Sequence, residues 1–283
     1  MNTTVAVAQI APALGNLDAN IAKHVSLIER AREQGAGLIV FPELSLTGYT
    51  VRDMNFELCL RTDDPRLHVF RDLSEEITII LGGIEESDAF GVYNSAFVFD
   101  QGKCSTYRKI YPPDYGIFEE GRYFLRGETT TLINTRHGRI GVLICEDLWH
   151  LSLPLLQALD GAELLCVISA SPTRLPAAGM PTLPEINSEQ HRSLCRLLSV
   201  NMVFVNRVGF EDGVNFWGAS EVVDASGRVL YAAGSDEEEL GFAEVRSDAL
   251  RAARRESRHF LDEDPFLLRR ELERILRARG SVS

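Results

Sequence analysis

Cysteine and histidine are scarce in this chain, and their spacing excludes two kinds of site. The five cysteines among 283 residues are odd in number and widely scattered, and no Cys-x-x-Cys pair occurs. A disulfide framework or a zinc ribbon is therefore excluded, and we expect reduced thiols. The six histidines form no His-Glu-x-x-His or comparable ligand spacing, so we predict neither a bound metal nor another cofactor.

Basic charge and long apolar runs are also lacking. The 29 Lys and Arg residues are outnumbered by 41 Asp and Glu residues, which gives a formal charge of −12 and repels phosphate backbones and anionic lipids. No apolar run approaches the roughly 20 residues that a membrane-spanning helix needs, and the first residues do not resemble a signal peptide. We predict no nucleic-acid partner, no membrane association and a cytoplasmic location.

Short apolar runs alternate with helical patterns along the chain. Val5–Ile10 is typical of a buried strand, and Ala19–Gln34 of a helix that Asn16 or Asp18 caps. Strands mixed with helices in this way predict α/β architecture with a sheet covered on both faces. Further strands are predicted at Leu38–Phe41, Ile77–Leu81, Tyr93–Phe99 and Cys104–Lys109 as a hairpin, Thr130–Ile133, Ile140–Ile144, Leu164–Ile168, Met202–Val208, Glu221–Val223 and Val229–Tyr231, and further helices at Pro154–Leu159 and Glu185–Ser199.

One domain, residues 1–250, is followed by a helical tail, residues 251–283. From Arg251 to Gly280, nine Arg occur with six Asp or Glu, which favours a solvated amphipathic helix. The alternative is a tail that docks on an acidic neighbouring subunit. Ser171–Leu183 is rich in Pro and lacks periodicity, so it is either a functional loop or a surface excursion.

Two charged residues follow predicted strands. Glu43 comes directly after Leu38–Phe41 and Pro42, where apolar surroundings would raise its pKa and suit it to general-base work. Lys109 ends the Tyr-Arg-Lys segment before two prolines. Each has an ordinary explanation when taken alone, the first as a cap on a loop amide and the second as a lysine on a solvated edge strand.

Cys145 is the strongest nucleophile candidate in the sequence. It directly follows the buried strand Ile140–Ile144 and precedes Glu-Asp, which favours a helix N-terminus. A nucleophile on a strand-to-turn junction is exposed to substrate and presents the next backbone N–H to an oxyanion. Cys166 and Cys195 are instead typical of buried packing. A papain-like pairing of Cys145 with His150 is the less favoured alternative.

Six segments in a fixed order carry a family resemblance: Ala6-Val-Ala-Gln9, Phe41-Pro-Glu43, Tyr107-Arg-Lys109, Gly141-Val-Leu-Ile-Cys145-Glu-Asp, Val205-Asn-Arg-Val-Gly209 and Phe216-Trp-Gly-Ala-Ser220. Through them the chain resembles the nitrilase (carbon–nitrogen hydrolase) family over nearly its whole length. The resemblance implies a four-layer αββα sandwich with mixed sheets. It also implies subunits that pair across a helical face, as a homodimer or a higher homo-oligomer.

The resemblance assigns roles to the reactive residues. Cys145 would attack a nitrile or amide carbon, and Glu43 would take the thiol proton and later activate water. Lys109 and the backbone N–H of Glu146 would stabilise the oxyanion. A thiol with an ordinary pKa of about 8.5 needs such a base or cation to react at neutral pH.

A narrower resemblance concerns substrate binding. A Phe-x-Glu pattern places a second catalytic glutamate at Glu120 and not at Glu119, on the expectation that neighbours on an extended segment face opposite ways. Around it the sequence is similar to the glutaminase domain of glutamine-dependent NAD synthetase. That similarity implies a substrate pocket made of Tyr49, Tyr115, Phe118, Glu146, Trp149 and Ser171.

The chain also departs from that glutaminase pattern. No synthetase module or ATP-pyrophosphatase loop occurs in the 283 residues, and Thr173–Ser188 looks like extra sequence. Arg174 or Arg192 is a candidate for holding a substrate carboxylate, although both also suit a surface role.

Several functions remain open at this point. The first is an amidase that releases ammonia from a small carboxamide, because Cys-Glu-Asp favours amides over nitriles. The second is a glutaminase subunit that supplies a separate NAD synthetase. A nitrilase or carbamoyl amidase, and a non-catalytic assembly protein, are further alternatives.

Overall fold

The computed structural model describes residues 1–174 and 179–280, which form fourteen strands and eight α-helices. The strands are β1 (Asn2–Gln9), β2 (Leu38–Val40), β3 (Thr78–Glu86), β4 (Val92–Asp100), β5 (Lys103–Arg108), β6 (Ile133–Thr135), β7 (Gly138–Ile144), β8 (Leu164–Ser169), β9 (Asn201–Asn206), β10 (Val208–Glu211), β11 (Val214–Trp217), β12 (Glu221–Val223), β13 (Val229–Ala232) and β14 (Glu239–Arg246). The helices are α1 (Leu17–Glu33), α2 (Asn55–Leu58), α3 (His68–Leu73), α4 (Glu120–Tyr123), α5 (Ser152–Leu159), α6 (Leu183–Leu198), α7 (Ser247–Glu256) and α8 (Pro265–Gly280).

Two six-stranded sheets form the centre of the molecule. One has the order β14-β1-β2-β3-β4-β5 and the other β13-β12-β9-β8-β7-β6, while β10 and β11 form a separate hairpin. The middle strands β1, β2 and β3 run parallel, as do β7, β8 and β9, and the edges are antiparallel. Because the three parallel strands of each sheet point the same way, their carboxyl ends lie side by side, and residues that follow them can form a site there.

Alternate residues of β1 show how the layers are held together. Val5 and Val7 belong to the core between the two sheets, whereas Ala6 and Ala8 pack toward α1 and α3. Leu194 of α6 and residues of α5 pack against the strands of the second sheet, on its outer face. The order of layers is therefore helices, sheet, sheet and helices, which is the predicted αββα sandwich.

Helix α1 begins directly after Asn16, one of the two predicted capping residues. The Asn16 side chain accepts a hydrogen bond from the Ala19 backbone N–H, whereas Asp18 lies inside the first turn. The helix ends before Gly35, whose φ of +76° only glycine adopts without strain. The predicted hairpin is also present, as the antiparallel pair β4 and β5.

Three strand predictions were wrong in their limits. The strand predicted at Ile77–Leu81 is β3, which continues to Glu86 in a long antiparallel pairing with β4. The strand predicted at Thr130–Ile133 is β6, Ile133–Thr135, because the tight turn to β7 pairs Thr135 with Gly138 and fixes the register. The strand predicted at Met202–Val208 breaks at Arg207. There the chain leaves the sheet, and the backbone N–H of Val208 donates to Ile10 instead.

The C-terminal segments are helical. Helix α7 begins before residue 251, with Leu250 buried, and α8 has no buried residue. Docking of the tail on another subunit stays a prediction, and residues 281–283 lie outside the described residues. Of the loop predicted at Ser171–Leu183, residues 175–178 also lie outside them. Among the residues described, no helix is long and apolar enough to cross a bilayer.

Candidate active site

Glu43, Lys109 and Glu120 form one buried charged cluster. Glu43 follows β2, Lys109 follows β5, and Glu120 begins α4; at most 4% of any of these residues is exposed. Lys109 Nζ donates a 2.7 Å hydrogen bond to Glu43 Oε1 and another of 2.7 Å to Glu120 Oε1. Glu43 and Lys109, each of which has an ordinary explanation when taken alone in the sequence, are thus in direct contact.

Two further groups hold the Glu43 carboxylate. Asn94 Nδ2 donates to Oε1 at 2.7 Å, and the backbone N–H of Ala170 donates to Oε2 at 2.8 Å. Gly82 lies under the turn that carries Glu43, where a Cβ would come within 2.3 Å of the Leu44 nitrogen. Close approach of β3 to this turn therefore requires glycine.

Cys145 occupies a strained turn at the end of β7. Its φ is +46°, in the left-handed region that non-glycine residues rarely adopt. Ser169 Oγ donates to Cys145 Sγ at 3.2 Å. Burial raises the pKa of the thiol, and the Glu43 carboxylate raises it further while Lys109 opposes both. The resting thiol is therefore protonated and needs a base to become a nucleophile.

Opposite charges decide the state of Lys109. Burial alone lowers the pKa of this ammonium, but the carboxylates of Glu120 and Glu43 outweigh it and hold the pKa well above its ordinary value. Lys109 consequently stays cationic at any physiological pH. A fixed cation beside a thiol is suited to stabilise an oxyanion.

Glu120 has a pKa of about 7, well above the ordinary value of 4.5. Burial is the largest cause and raises the pKa, Lys109 opposes it, and Glu43 adds to the rise. Tyr49 Oη donates to Glu120 Oε1 at 2.6 Å. Glu120 lies in the cluster and Glu119 is exposed, as predicted, although the reason given was wrong. The segment is not extended there, and the first turn of α4 directs the two side chains apart.

Asp147 links the Cys145 turn to the segment that carries Lys109, and sequence reasoning missed it. Its Oδ1 accepts from the backbone N–H groups of Ile110 and Tyr111, directly after Lys109. Its Oδ2 accepts from Tyr107 Oη at 2.9 Å and from the Ile144 backbone N–H at 3.2 Å. One buried carboxylate therefore fastens the Lys109 strand of one sheet to the Cys145 turn of the other.

Tyr115, Phe118 and Glu146 line one side of the site. Tyr115 Oη donates to Glu146 Oε2 at 2.8 Å, and the rings of Tyr115 and Phe118 meet edge to face. The Arg174 guanidinium carbon lies 5.5 Å from the centre of the Phe118 ring. Arg192, the other arginine candidate, lies exposed on α6 and donates to the Gly227 carbonyl, away from these rings.

The remaining predicted binding residues differ in their surroundings. Ser171 Oγ accepts from Trp217 Nε1 at 3.1 Å, and the Ser171 backbone N–H donates to the Asn206 side chain. Tyr49 and Glu120 line a cavity of about 440 Å³. Trp149 is 47% exposed at the end of the Cys145 turn, and its role stays a prediction.

His150, Cys166 and Cys195 are packed against other residues outside the charged cluster. His150 stacks on Tyr111 with ring centroids 3.5 Å apart, and Cys166 and Cys195 are wholly buried. Among residues 1–174 and 179–280, no group of three or more His, Cys, Asp or Glu is arranged to hold a metal ion.

Comparison with known proteins assigns the family. The family model described as carbon-nitrogen hydrolase matches residues 4–255. The chain belongs to the carbon-nitrogen hydrolase family. This confirms the resemblance drawn from the six segments and assigns the chain to enzymes that act on C–N bonds.

Relatives in this family differ in length and name. The chain is 33% identical over 250 residues to the glutamine-dependent NAD(+) synthetase of Acinetobacter baylyi, covering 85% of this chain and 43% of the relative. It is 31% identical to a nitrilase of Pyrococcus abyssi, covering 85% and 88%. A carbon-nitrogen hydrolase structure from Helicobacter pylori matches with a TM-score of 0.83 at 27% identity, covering 93% of this chain and 96% of that one. The chain thus spans less than half the length of the synthetase relative.

Proposed function

We propose that this chain hydrolyses the C–N bond of a small carboxamide through a thioester on Cys145 and releases ammonia. The observation that carries the proposal is the buried Lys109 ammonium, held 2.7 Å from both Glu43 and Glu120. Ser169 donates to the Cys145 thiol, and the next residue, Ala170, donates its backbone N–H to Glu43. Amide cleavage needs a nucleophile, a base and an oxyanion partner, and we assign these roles to Cys145, Glu43 and Lys109.

In the first half-reaction, Glu43 takes the proton of Cys145 and Sγ attacks the carboxamide carbon. The carbonyl electron pair moves onto oxygen, where the Lys109 ammonium and the Glu146 backbone N–H donate hydrogen bonds to it. The tetrahedral intermediate then collapses and the C–N bond breaks. Glu43 gives its proton to the departing nitrogen, so that ammonia leaves and an acyl thioester remains.

In the second half-reaction, Glu43 takes a proton from water while the water oxygen attacks the thioester carbon. The C–S bond breaks, the proton returns to Sγ, and a carboxylic acid leaves. One carboxamide and one water thus become one carboxylic acid and one ammonia. Glu120 does not exchange protons with the substrate in this scheme, but holds Lys109 in place through its 2.7 Å hydrogen bond.

Glutamine is the carboxamide that we propose as the first substrate to test. Relatives of this chain are named glutamine-dependent NAD(+) synthetases. Beside the site, the Glu146 carboxylate bonds to Tyr115, and the Arg174 guanidinium lies over the rings of Tyr115 and Phe118. An anion and a cation flanking an aromatic wall suit the ammonium and carboxylate of an amino acid. A separate NAD synthetase is then the partner that would consume the ammonia.

A nitrilase or carbamoyl amidase activity is the alternative, and the likeness to the Pyrococcus abyssi nitrilase supports it. We propose further that the enzyme acts as a homo-oligomer in the cytoplasm. Gel filtration with light scattering tests the first of these points, and cell fractionation the second.

The decisive experiment is ammonia release from a panel of aliphatic amides, glutamine, nitriles and ureido acids, with Cys145→Ala as the matched control. We expect the wild type to act on a carboxamide and intact mass to show an acyl group on Cys145. Full activity in the variant, or label on another cysteine, would contradict the mechanism. No turnover of any substrate would favour a non-catalytic assembly protein.

A second measurement separates the amidase from the glutaminase subunit. Adding an NAD synthetase to the enzyme should raise glutamine turnover if the two proteins work together. Glutamine turnover that is unchanged by the synthetase would leave a free-standing amidase.

A further inference from the structure

Arg207 and Glu211 form a buried ion pair that the proposed reaction does not use. Arg207 is 1% exposed and Glu211 5%. Arg207 Nη1 donates to Glu211 Oε2 at 2.5 Å, and the guanidinium carbon lies 4.2 Å from the centre of the Phe216 ring. Removing two charges from water costs several kcal/mol per ion before their attraction is counted. The pair is therefore a poor way to gain stability alone.

The other Glu211 oxygen holds the backbone of Tyr49. Oε1 accepts from the N–H groups of both Tyr49 and Thr50, at 2.9 and 2.6 Å. The preceding Gly48 has a φ of +80°, and a Cβ there would lie 2.8 Å from Glu211 Oε2. The loop thus bends directly over the carboxylate, and only glycine allows that approach.

Tyr49 connects this pair to the catalytic cluster. Its hydroxyl donates to Glu120 Oε1 at 2.6 Å, the same oxygen that accepts from Lys109 Nζ. Its ring lies edge-on to Phe216, with centroids 6.1 Å apart, and Arg207 covers that ring. Both the backbone and the ring of Tyr49 are therefore held by the ion pair.

We propose that Arg207 and Glu211 are positioning residues that hold Tyr49 so that its hydroxyl donates to Glu120, and that the rate of C–N hydrolysis depends on this bond. The inference rests on the proposed function. A hydrogen bond to a carboxylate favours its charged form. Loss of the Tyr49 bond therefore moves the titration of Glu120 to higher pH.

The pH dependence of kcat also reflects the titratable groups that face Glu120. These are the Lys109 ammonium, the Glu43 carboxylate, the Tyr49 hydroxyl and, at the nucleophile turn, the Cys145 thiol. In the described part of the chain, the Glu211 carboxylate accepts from Arg207, Tyr49 and Thr50, and Glu120 is reached only through the Tyr49 hydroxyl. A change in the pH profile of a Glu211 variant is consequently transmitted through Tyr49.

The test is a double-mutant cycle on ammonia release with Glu211→Gln, Tyr49→Phe and the double variant. We expect each single variant to lower kcat about tenfold with little change in KM, and the double variant to lose no more than the larger single loss. Independent effects would multiply to about 100-fold. The acid limb of the kcat profile should move to higher pH in all three variants.

Two further variants guard against a simple folding defect. Arg207→Lys keeps the charge and should retain more activity than Arg207→Met. Asp100→Asn weakens a half-buried pair far from the site, Asp100 with Arg136, whose atoms are 2.7 Å apart. It should lower Tm while leaving kcat and its pH profile unchanged. If Glu211→Gln does not fold, Arg207→Lys takes its place in the cycle.

A fluorine NMR measurement separates this inference from the proposed function. In protein labelled with 3-fluorotyrosine, the resonance missing from Tyr49→Phe should shift or broaden in Glu211→Gln, whatever the substrate. An unchanged resonance, an unchanged pH profile or multiplicative losses would each overturn the positioning role. Absence of any ammonia release with a shifted resonance would instead overturn the proposed function alone.

Discussion

Cys166 lies on β8 and Cys145 lies just beyond the end of the adjacent parallel strand β7, and the charges around the two thiols differ. Burial raises the pKa of both thiols. For Cys166 burial is the only influence, whereas Glu43, Lys109, Ser169 and Glu120 all act on Cys145. Cys166 lies inside β8, and Cys145 lies one residue beyond β7 with a φ of +46°. Reactivity therefore comes from position at the strand end and from neighbouring charges, and not from burial.

The largest expected effect comes from replacing each of these two cysteines by alanine. We predict that Cys145→Ala lowers kcat by at least about 10⁴, because no other group can form the thioester. Cys166→Ala removes only a buried sulfur and should keep kcat within about twofold, at a small cost in Tm. Steady-state ammonia release and thermal unfolding of both variants check this. Equal losses from the two changes would contradict the assignment of the nucleophile.

Removing the cation from the Cys145 surroundings is expected to have the next largest effect. Lys109→Met should lower kcat by about 10²–10³, the usual cost of losing one oxyanion donor. It also leaves two carboxylates without their shared partner, so Tm should fall. Lys103→Met, on the exposed start of the same strand, is the matched control. A wild-type kcat in Lys109→Met would remove Lys109 from the mechanism.

The link between the two sheets should matter less than the reactive groups themselves. Asp147→Asn keeps the size of the side chain but replaces one acceptor oxygen with a donor. We expect a roughly tenfold loss of kcat, because one donor at Ile144 or Tyr107 loses its acceptor and the two strand ends shift. Kinetics of the variant, with a crystal structure to locate Lys109 relative to Cys145, measure this. An unshifted site with normal kcat would make Asp147 purely structural.

The smallest predicted effect concerns stability and pH. The Glu120 pKa is about 7 in the folded chain, against an ordinary value of 4.5. As pH rises between these values, the unfolded chain loses this proton before the folded chain does, so the contribution to stability declines by up to about 3 kcal/mol. Glu120→Gln should remove that decline, while the exposed Glu119→Gln should keep it. Chemical denaturation from pH 5 to 8 checks the difference.

Local pattern was enough to predict most of the fold. Apolar runs bounded by Gly, Pro or Asn predicted the central strands, because a strand buried on both faces has to be apolar throughout. The limits were less predictable where tertiary contacts set them. β6 depends on the register of a hairpin, and the break at Arg207 accompanies a hydrogen bond from the Val208 N–H to the distant Ile10 carbonyl.

The supporting residues of the site could not be predicted for a related reason. Asn94 is one of several polar residues, with Ser95 and Asp100, in a mostly apolar strand, a weak signal that sequence reasoning did not use. Ala170 acts through its backbone N–H, which carries no side-chain signature. Asp147 was interpreted only as part of a helix N-terminus, because its four hydrogen bonds reach partners up to 40 residues away.

The sequence by itself determined the family and the αββα layers and predicted Cys145 as the nucleophile, because strand periodicity and ordered motifs are local properties of the chain. Only the tertiary structure decided which groups touch. Glu43 and Lys109 are 66 residues apart in the chain and 2.7 Å apart in space. Their charges, the raised pKa of Glu120 and the Tyr49 bond all depend on distances that folding sets. For that reason the chemical surroundings of Cys145 depend on residues distant in the chain and cannot be derived from the sequence of β7 alone.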